Sequence, residues 1–175
     1  GKKEMERFVM NDYANLDLVR AVMSQKSTSE FSNNFGKSLS AIDMADASGC
    51  LVYVSKHAPS DNPNLMQSAV ACYVDDSKRE AFYHEVVKLA EQGYKSKTQR
   101  QKHAKNLARA VVIDTVQCAL TDTQKAKMLG ISKSTFCQSH TLVYDNVAGA
   151  VASELSIADD VAGEYWRKTF RENRG

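Results

Sequence analysis

The stretch that decides the fold runs from Leu120 to Leu155, LTDTQKAKMLGISKSTFCQSHTLVYDNVAGAVASEL. It reads as two helices joined by a tight turn. The first, short, runs from about Thr123 to Leu129 and opens behind Asp122. Gly130 takes the turn, because a residue without Cβ adopts a left-handed backbone at little cost. Ser132 is the N-cap of the second helix, its hydroxyl meeting an N–H that has no intrahelical partner. The pattern is that of a helix-turn-helix: small Ala126 where helices cross, apolar Leu129, the turn glycine, Ile131 plugging the core, and Phe136 one turn into the second helix. Lys125 and Ser139 stand where such a motif usually holds apolar residues.

At 100° per residue, a second helix continuing to Leu155 places Phe136, Val143, Val147 and Ala150 on one face. Ser134, Cys137, Gln138 and Thr141 fall on the other, with Ser132 and Lys133 at its start. Small and hydrogen-bonding side chains with few carboxylates suit a helix lying in the major groove against base edges. A solvated face in an all-α protein can carry the same composition.

The rest of the chain favours an all-α, multi-helix domain. Its 175 residues are 43% apolar, enough for a core, and only two prolines and eight glycines interrupt them. The net charge of +2 is too small to argue for nucleic acid; its distribution is more informative. Cys50, Cys72, Cys118 and Cys137 are widely separated and read as buried, reduced thiols. No apolar run approaches the ~20 residues of a membrane span, and the charged start GKKEMERF has no signal-peptide core. The expectation is a cytoplasmic protein with no membrane partner.

In chain order, Glu4 to Met23 is expected to be helical, with Phe8, Leu16, Val19, Val22 and Met23 as its stripe. Ser24 to Ser38 is a polar linker carrying Phe31 and Phe35. Ser40 to His57 is a helix whose apolar side is Ile42, Ala45, Gly49, Val52 and Tyr53, with Gly49 marking a close helix approach. APSDNPN, Ala58 to Asn64, is a turn. Leu65 to Val74 is a buried helix, and Asp75-Asp76-Ser77 caps a helix over Lys78 to Gln92. That helix turns Phe82, Val86, Leu89 and Ala90 inward, and Gly93 closes it. From Lys97 to Cys118 the residues Ala104, Leu107, Ala108, Val111, Val112 and Thr115 repeat at helical spacing. Lys102, Lys105 and Arg109 share the opposite face, after Lys95, Lys97, Arg100 and His103. This densest positive charge suits phosphate contact beside a reading helix, or an ordinary solvated face. Beyond Leu155, Val161, Tyr165 and Trp166 pack a last helix whose end is basic through Arg167, Lys168, Arg171 and Arg174. The chain divides on this reading into an arm over residues 1–37, a helical body over 38–160 with the helix-turn-helix at 120–155, and a basic helix over 161–175.

Signatures of catalysis are missing: the sequence has no GxSxG, GxxxxGK[ST], GxGxxG or HExxH. His57, His84, His103 and His140 are scattered. Cys137-x-x-His140 is half of a metal site without another half. Asp75-Asp76 and Asp159-Asp160 suit helix boundaries, where capping explains them. Neither an enzyme nor a cofactor or metal is expected.

The sequence resembles the lambda-type Q antitermination proteins of bacteriophages. The residues that carry the resemblance are Thr135 and Phe136, the Tyr144-Asp145 pair and the run Ser156-Ile157-Ala158-Asp159. Ser38-Leu39-Ser40, Asp43 and Lys56-His57 recur in the same order, so that the match spans Ser38 to Asp160. The family's cysteine-rich zinc ribbon has no counterpart, since Cys118 runs almost directly into Leu120-Thr121-Asp122. The resemblance implies a protein that binds DNA within a phage late promoter and loads onto paused bacterial RNA polymerase with its sigma factor. It then lines the RNA exit channel, so that a terminator hairpin is not admitted around the nascent RNA and late genes are read through. On this reading Lys133, Ser134, Gln138 and Thr141 meet base edges, while Lys102, Lys105 and Arg109 meet phosphates. The alternatives are a conventional dimeric helix-turn-helix repressor or activator and a purely protein-binding adaptor.

Overall fold

A computed structural model of the chain describes residues 13–24 and 42–174, and all its regular structure there is helical. The helices are α1 (Ala14–Met23), α2 (Met44–His57), α3 (Pro63–Val74), α4 (Arg79–Gly93), α5 (Lys97–Val116), α6 (Asp122–Leu129), α7 (Lys133–Ser139) and α8 (Thr141–Arg174). Phe8, Phe31, Phe35, nearly all of the polar linker and the side chains of Arg171 and Arg174 lie outside the described residues. No helix among the described residues is long and apolar enough to cross a membrane.

The chain forms two compact units, and the 34-residue α8 contributes to both. One unit comprises α4 to α7 and α8 as far as Ser153. Its core is Phe82, Val86 and Ala90 of α4, the stripe Ala104, Leu107, Ala108, Val111 and Val112 of α5, then Ala126, Leu129 and Phe136, and Tyr144, Val147 and Val151 of α8. The other unit holds α1 to α3 and α8 from Glu154 onward. There Leu16 and Val19 pack with Ala47, Cys50 and Val54, with Leu65, Ala69, Cys72 and Tyr73, and with Leu155, Ala158, Ala162 and Trp166.

The local causes are mostly side chains that meet orphaned backbone groups. Asp43 caps α2 reciprocally with Asp46, and Asn62 accepts the Leu65 N–H ahead of Pro63 at the first turn of α3. The expected caps of α4 are displaced: Asp76–Lys78 form a 3-10 turn, and Lys78 stands at the N-cap without a side-chain bond. Gly93 ends α4, yet its neighbour Tyr94 leaves in an extended conformation, so no left-handed closure occurs. The glycine is needed for a different reason, since a Cβ there would come within 2.8 Å of Val143 Cγ1. On α2 the expected face is rotated. Ala47, Cys50 and Val54 are buried whereas Ala45 and Val52 are exposed, because apolar residues surround that helix and periodicity alone does not choose a side. Gly49 does mark a close approach, with the Tyr165 hydroxyl where its Cβ would stand. Cys50, Cys72 and Cys118 are buried thiols, but Cys137 is exposed. Burial, with the Asp159 charge nearby, pushes the Cys50 thiol up to about 12.

Asp159 is a cap, though not of its own helix. It lies within α8, and its Oδ1 accepts the backbone N–H groups of Asn15 and Leu16 at 2.9 Å each, while Oδ2 accepts Asn15 Nδ2 at 3.2 Å. These are the second and third residues of α1, whose own N-cap position, Tyr13, supplies no side-chain cap. Burial raises the carboxyl above the usual carboxylate range, and the N–H donors pull it back. Asp159→Ala is expected to lower unfolding stability by about 1–2 kcal/mol, the cost of a lost cap. Asp160→Ala, at the exposed neighbour, should stay within about 0.5 kcal/mol in the same urea titration.

Candidate nucleic-acid interface

Two short helices and their turn form one edge of the first unit. Thr121 opens α6 by accepting the Gln124 N–H, and the Gln124 side chain returns to the Thr121 N–H at 2.8 Å. Gly130 ends the helix at φ 72° and is the one residue with positive φ among those described. Ser132 then accepts the Thr135 N–H at 3.1 Å and begins α7. The turn and the Ser132 cap stand where the sequence placed them, whereas the first helix opens at Thr121, one residue before the expected Asp122.

The second helix is shorter than expected. α7 has seven residues and stops at Ser139. His140 leaves the helical conformation at φ −122°, and α8 restarts at Thr141. Two contacts explain the break. The Phe136 carbonyl accepts both the His140 N–H and the Thr141 hydroxyl, and the His140 ring turns inward to the Tyr94 hydroxyl at 2.7 Å. After the break the buried positions restart at Tyr144, Val147, Val151 and Leu155, while Val143 and Ala150 are only half-buried.

Phe136 is the sole buried residue of α7, 1% exposed, with its ring edge-on to Tyr144 at 5.6 Å. Every other residue from Ser132 to Ser139 is exposed, and none is a carboxylate. Lys133, Ser134 and Gln138 point no hydrogen bond at any described residue, whereas the Ser132 hydroxyl is engaged with Thr135 and the half-buried Thr141 hydroxyl with Phe136. The Cys137 thiol makes only a long 4.0 Å contact to Asp122 Oδ2. Among the described residues no three His, Cys, Asp or Glu gather to hold a metal ion, and the His140 of the Cys137-x-x-His140 pair is committed to the interior.

Lys102, Lys105 and Arg109 are all exposed on α5. The line of α5 that meets α6 and α8 passes through His103, Leu107 and Asp114. At 100° per residue the three cations lie roughly 120–180° around from it. Arg109 instead reaches Asn106 at 3.3 Å and stands over the Tyr83 ring of α4. They form a separate basic flank. Lys127 of α6 is exposed too, and joins Lys133 as a cation within the turn region itself.

Lys125, the polar residue at an apolar position, has a structural answer. Its Nζ lies 4.5 Å above the Tyr144 ring centroid, 3.8 Å from Asp114 Oδ2 and 3.7 Å from Asp122 Oδ1. Asp114 in turn accepts the Leu120 N–H and the Tyr144 hydroxyl, each at 2.8 Å. Burial and the Asp114 charge both push the Tyr144 hydroxyl upward, so it stays a donor. One carboxylate thereby joins α5, the loop after it, α6 and α8. Its chemical cue in the sequence was the out-of-pattern lysine; which acid it pairs with was not legible.

Compared with known proteins, the chain matches no family model, no curated protein and no solved structure.

Asp114→Ala is expected to cost about 2–3 kcal/mol, because it leaves a buried hydroxyl, a backbone N–H and a largely covered ammonium without their acceptor. Lys125→Met keeps the stem over the ring and should change stability by less than about 1 kcal/mol. Chemical denaturation of the two variants separates these outcomes.

Proposed function

We propose that the chain is a DNA-binding transcription factor that reads duplex DNA with α7 and acts as a phage-type antiterminator. The observation that carries the DNA-binding part is the exposed surface of α7. A two-turn helix anchored by one ring, free of carboxylates, and following a left-handed glycine turn presents Lys133, Ser134, Cys137 and Gln138 together. Such a helix-turn-helix edge fits the major groove, where short polar side chains and a lysine reach base edges. Ser132 and Thr141 shape the ends of that helix, and phosphate contact falls first to Lys127 and Lys133. The flank of Lys102, Lys105 and Arg109 offers a second anionic contact, to DNA farther along or to nascent RNA.

The antitermination part rests on the resemblance to the lambda-type Q proteins. Two of its matching positions lie at structurally distinctive places: Phe136 is the anchor of α7, and Asp159 is the cap of α1. On this reading the factor binds a late-promoter element, loads onto RNA polymerase holoenzyme paused beside it, and narrows the RNA exit channel for read-through. The absent zinc ribbon leaves polymerase contact to the helical surfaces of this chain.

Selection from a random duplex library, followed by anisotropy titration of the enriched sequence, tests the DNA reading. Gln138→Ala should relax discrimination at one base pair at a cost of about 1–3 kcal/mol. Lys127→Ala should weaken all sequences alike and reduce the salt slope by about one. Absence of any enriched sequence would refute the reading. Placed between a promoter and an intrinsic terminator, the enriched element should yield read-through in vitro only with the factor present. Specific binding with unchanged termination would leave a conventional regulator.

A further inference from the structure

The C-terminal ends of α6 and α7 are each met by a buried imidazole. His103 of α5 is 6% exposed, and one of its ring nitrogens bonds the backbone of Leu129, the last residue of α6 before the turn. Its Nδ1 is buried without any hydrogen-bond partner among the described residues. His140 is 2% exposed, sits at the C-terminal end of α7, and shares a 2.7 Å hydrogen bond between its Nδ1 and the Tyr94 hydroxyl. The two rings lie edge to face with centroids 4.7 Å apart. In this arrangement the Leu129 carbonyl requires a donor from His103, and the unpartnered Nδ1 is then the lone pair of a neutral ring. Tyr94, whose hydroxyl is pushed up to about 12 by burial, remains the donor to a neutral His140.

No counter-charge waits for a proton. The charged or titratable groups that bear on the rings are Lys102 from α5, Tyr94 from the segment before it, and each ring on the other. Arg100, also of α5, donates to the Tyr94 carbonyl at 3.1 Å. From α6 comes the uncharged Leu129 carbonyl, and neither α7 nor α8 sets a carboxylate against the pair among the described residues. A proton on either ring would have to occupy buried space beside other positive charge or beside its twin.

We infer that His103 and His140 form a pH-sensitive latch that seats the α6–α7 edge only while both rings are neutral, so that mild acid releases the edge and weakens duplex binding. The inference deepens the proposed DNA-reading role of α7 and rests on it for its consequence. Burial and the neighbouring positive groups hold both rings below the ordinary histidine range. The sign follows. An opened edge exposes imidazoles that titrate near the ordinary value of about 6.5, so opening takes up protons below that pH and becomes easier as acid is added. Above about 6.5 the latch is insensitive to pH. The direction of the binding effect is distinctive, because positive charge gained on an exposed surface would strengthen binding to phosphates.

Amide hydrogen exchange of the full chain, corrected for intrinsic rates, tests the latch without DNA. Protection of α6 and α7 should be level from pH 8 to 7 and fall about tenfold or more between pH 6.5 and 5. His103→Gln combined with His140→Asn keeps a donor for Leu129 and an acceptor for Tyr94 but cannot be charged, and its protection should stay level throughout. Level protection in the parent protein, or an equal fall in the double variant, overturns the latch. Should that variant not fold, the imidazole carbon-bound protons of the parent protein decide. Titration of either ring near 6.5 with α6–α7 protection unchanged overturns the latch, and uptake below that range together with lost protection upholds it. The selected duplex, titrated at pH 7.5 and 5.5 at fixed ionic strength, should bind more weakly in acid. If no duplex binds at either pH, the DNA reading fails while the exchange result still decides the latch.

Discussion

The Asp114 carboxylate holds the first unit in register. It is largely covered, its side chain 17% exposed, and it meets groups from three places in the chain: the Leu120 N–H, the Tyr144 hydroxyl and the Lys125 ammonium. A covered carboxylate is tolerated only when its donors and counter-charge are in place, so these partners must arrive together. The short loop from Gln117 to Thr121 is thereby fixed at its Leu120 end, α6 is drawn against α5 through Lys125, and the Tyr144 ring is oriented so that Phe136 packs edge-on against it. One anchor of α7, the Phe136 ring, is placed through that chain of contacts.

This matters because neither α6 nor α7 is long enough to persist on its own. Helices of eight and seven residues fall well below the length at which isolated helices hold together in water. Their stability comes from caps and from tertiary anchors. Thr121, Gly130 and Ser132 satisfy the ends, while Ala126, Leu129 and Phe136 supply the buried contacts. A helix held this way frees nearly all of its surface. A longer amphipathic helix would spend a third or more of its residues on the core. The economy of one anchor is what leaves Lys133, Ser134, Cys137 and Gln138 on a common exposed surface.

What the sequence disclosed follows the range of the interactions involved. Caps and turns are local, and Gly130 and Ser132 were legible as such because each acts on backbone within three residues of itself. The burial stripe of α5 was legible too, since its apolar residues repeat at helical spacing against a charged opposite face. The face of α2 was not, because Met44 to Val54 is apolar nearly all round and only the partners choose among its sides. The end of α7 was hidden for a related reason. Ser139, His140 and Thr141 carry no glycine or proline to signal a stop, and the break is made by Tyr94, which lies 46 residues upstream of His140. Asp159 shows the limit most plainly. Its capping role was readable from its residue type, but the first N–H that it caps, that of Asn15, lies 144 residues earlier than its own position, and no local pattern points there. For the candidate interface the exposed side chains of α7 were legible, whereas the separation of Lys102, Lys105 and Arg109 from them depended on which line of α5 meets α6 and α8.

The two polar clusters beneath the α6–α7 edge solve burial in opposite ways. Around Asp114 a charge is kept and surrounded by donors, one of them a cation. Around His103 and His140 charge is excluded by burial and by neighbouring positive groups, and a phenol donates to the neutral His140 ring. The first arrangement keeps its charge paired within the cluster. The second depends on proton activity close to neutrality, because histidine is the side chain whose unperturbed titration falls in that range. The carboxylate fixes the edge to α5 and α8 through α6 and Tyr144, while the imidazoles hold its two C-terminal ends, Leu129 and His140. A device that loosened the whole unit would act on the carboxylate. One that moved only the exposed helix pair would act where the imidazoles are, and that is the place where this chain puts its two buried histidines.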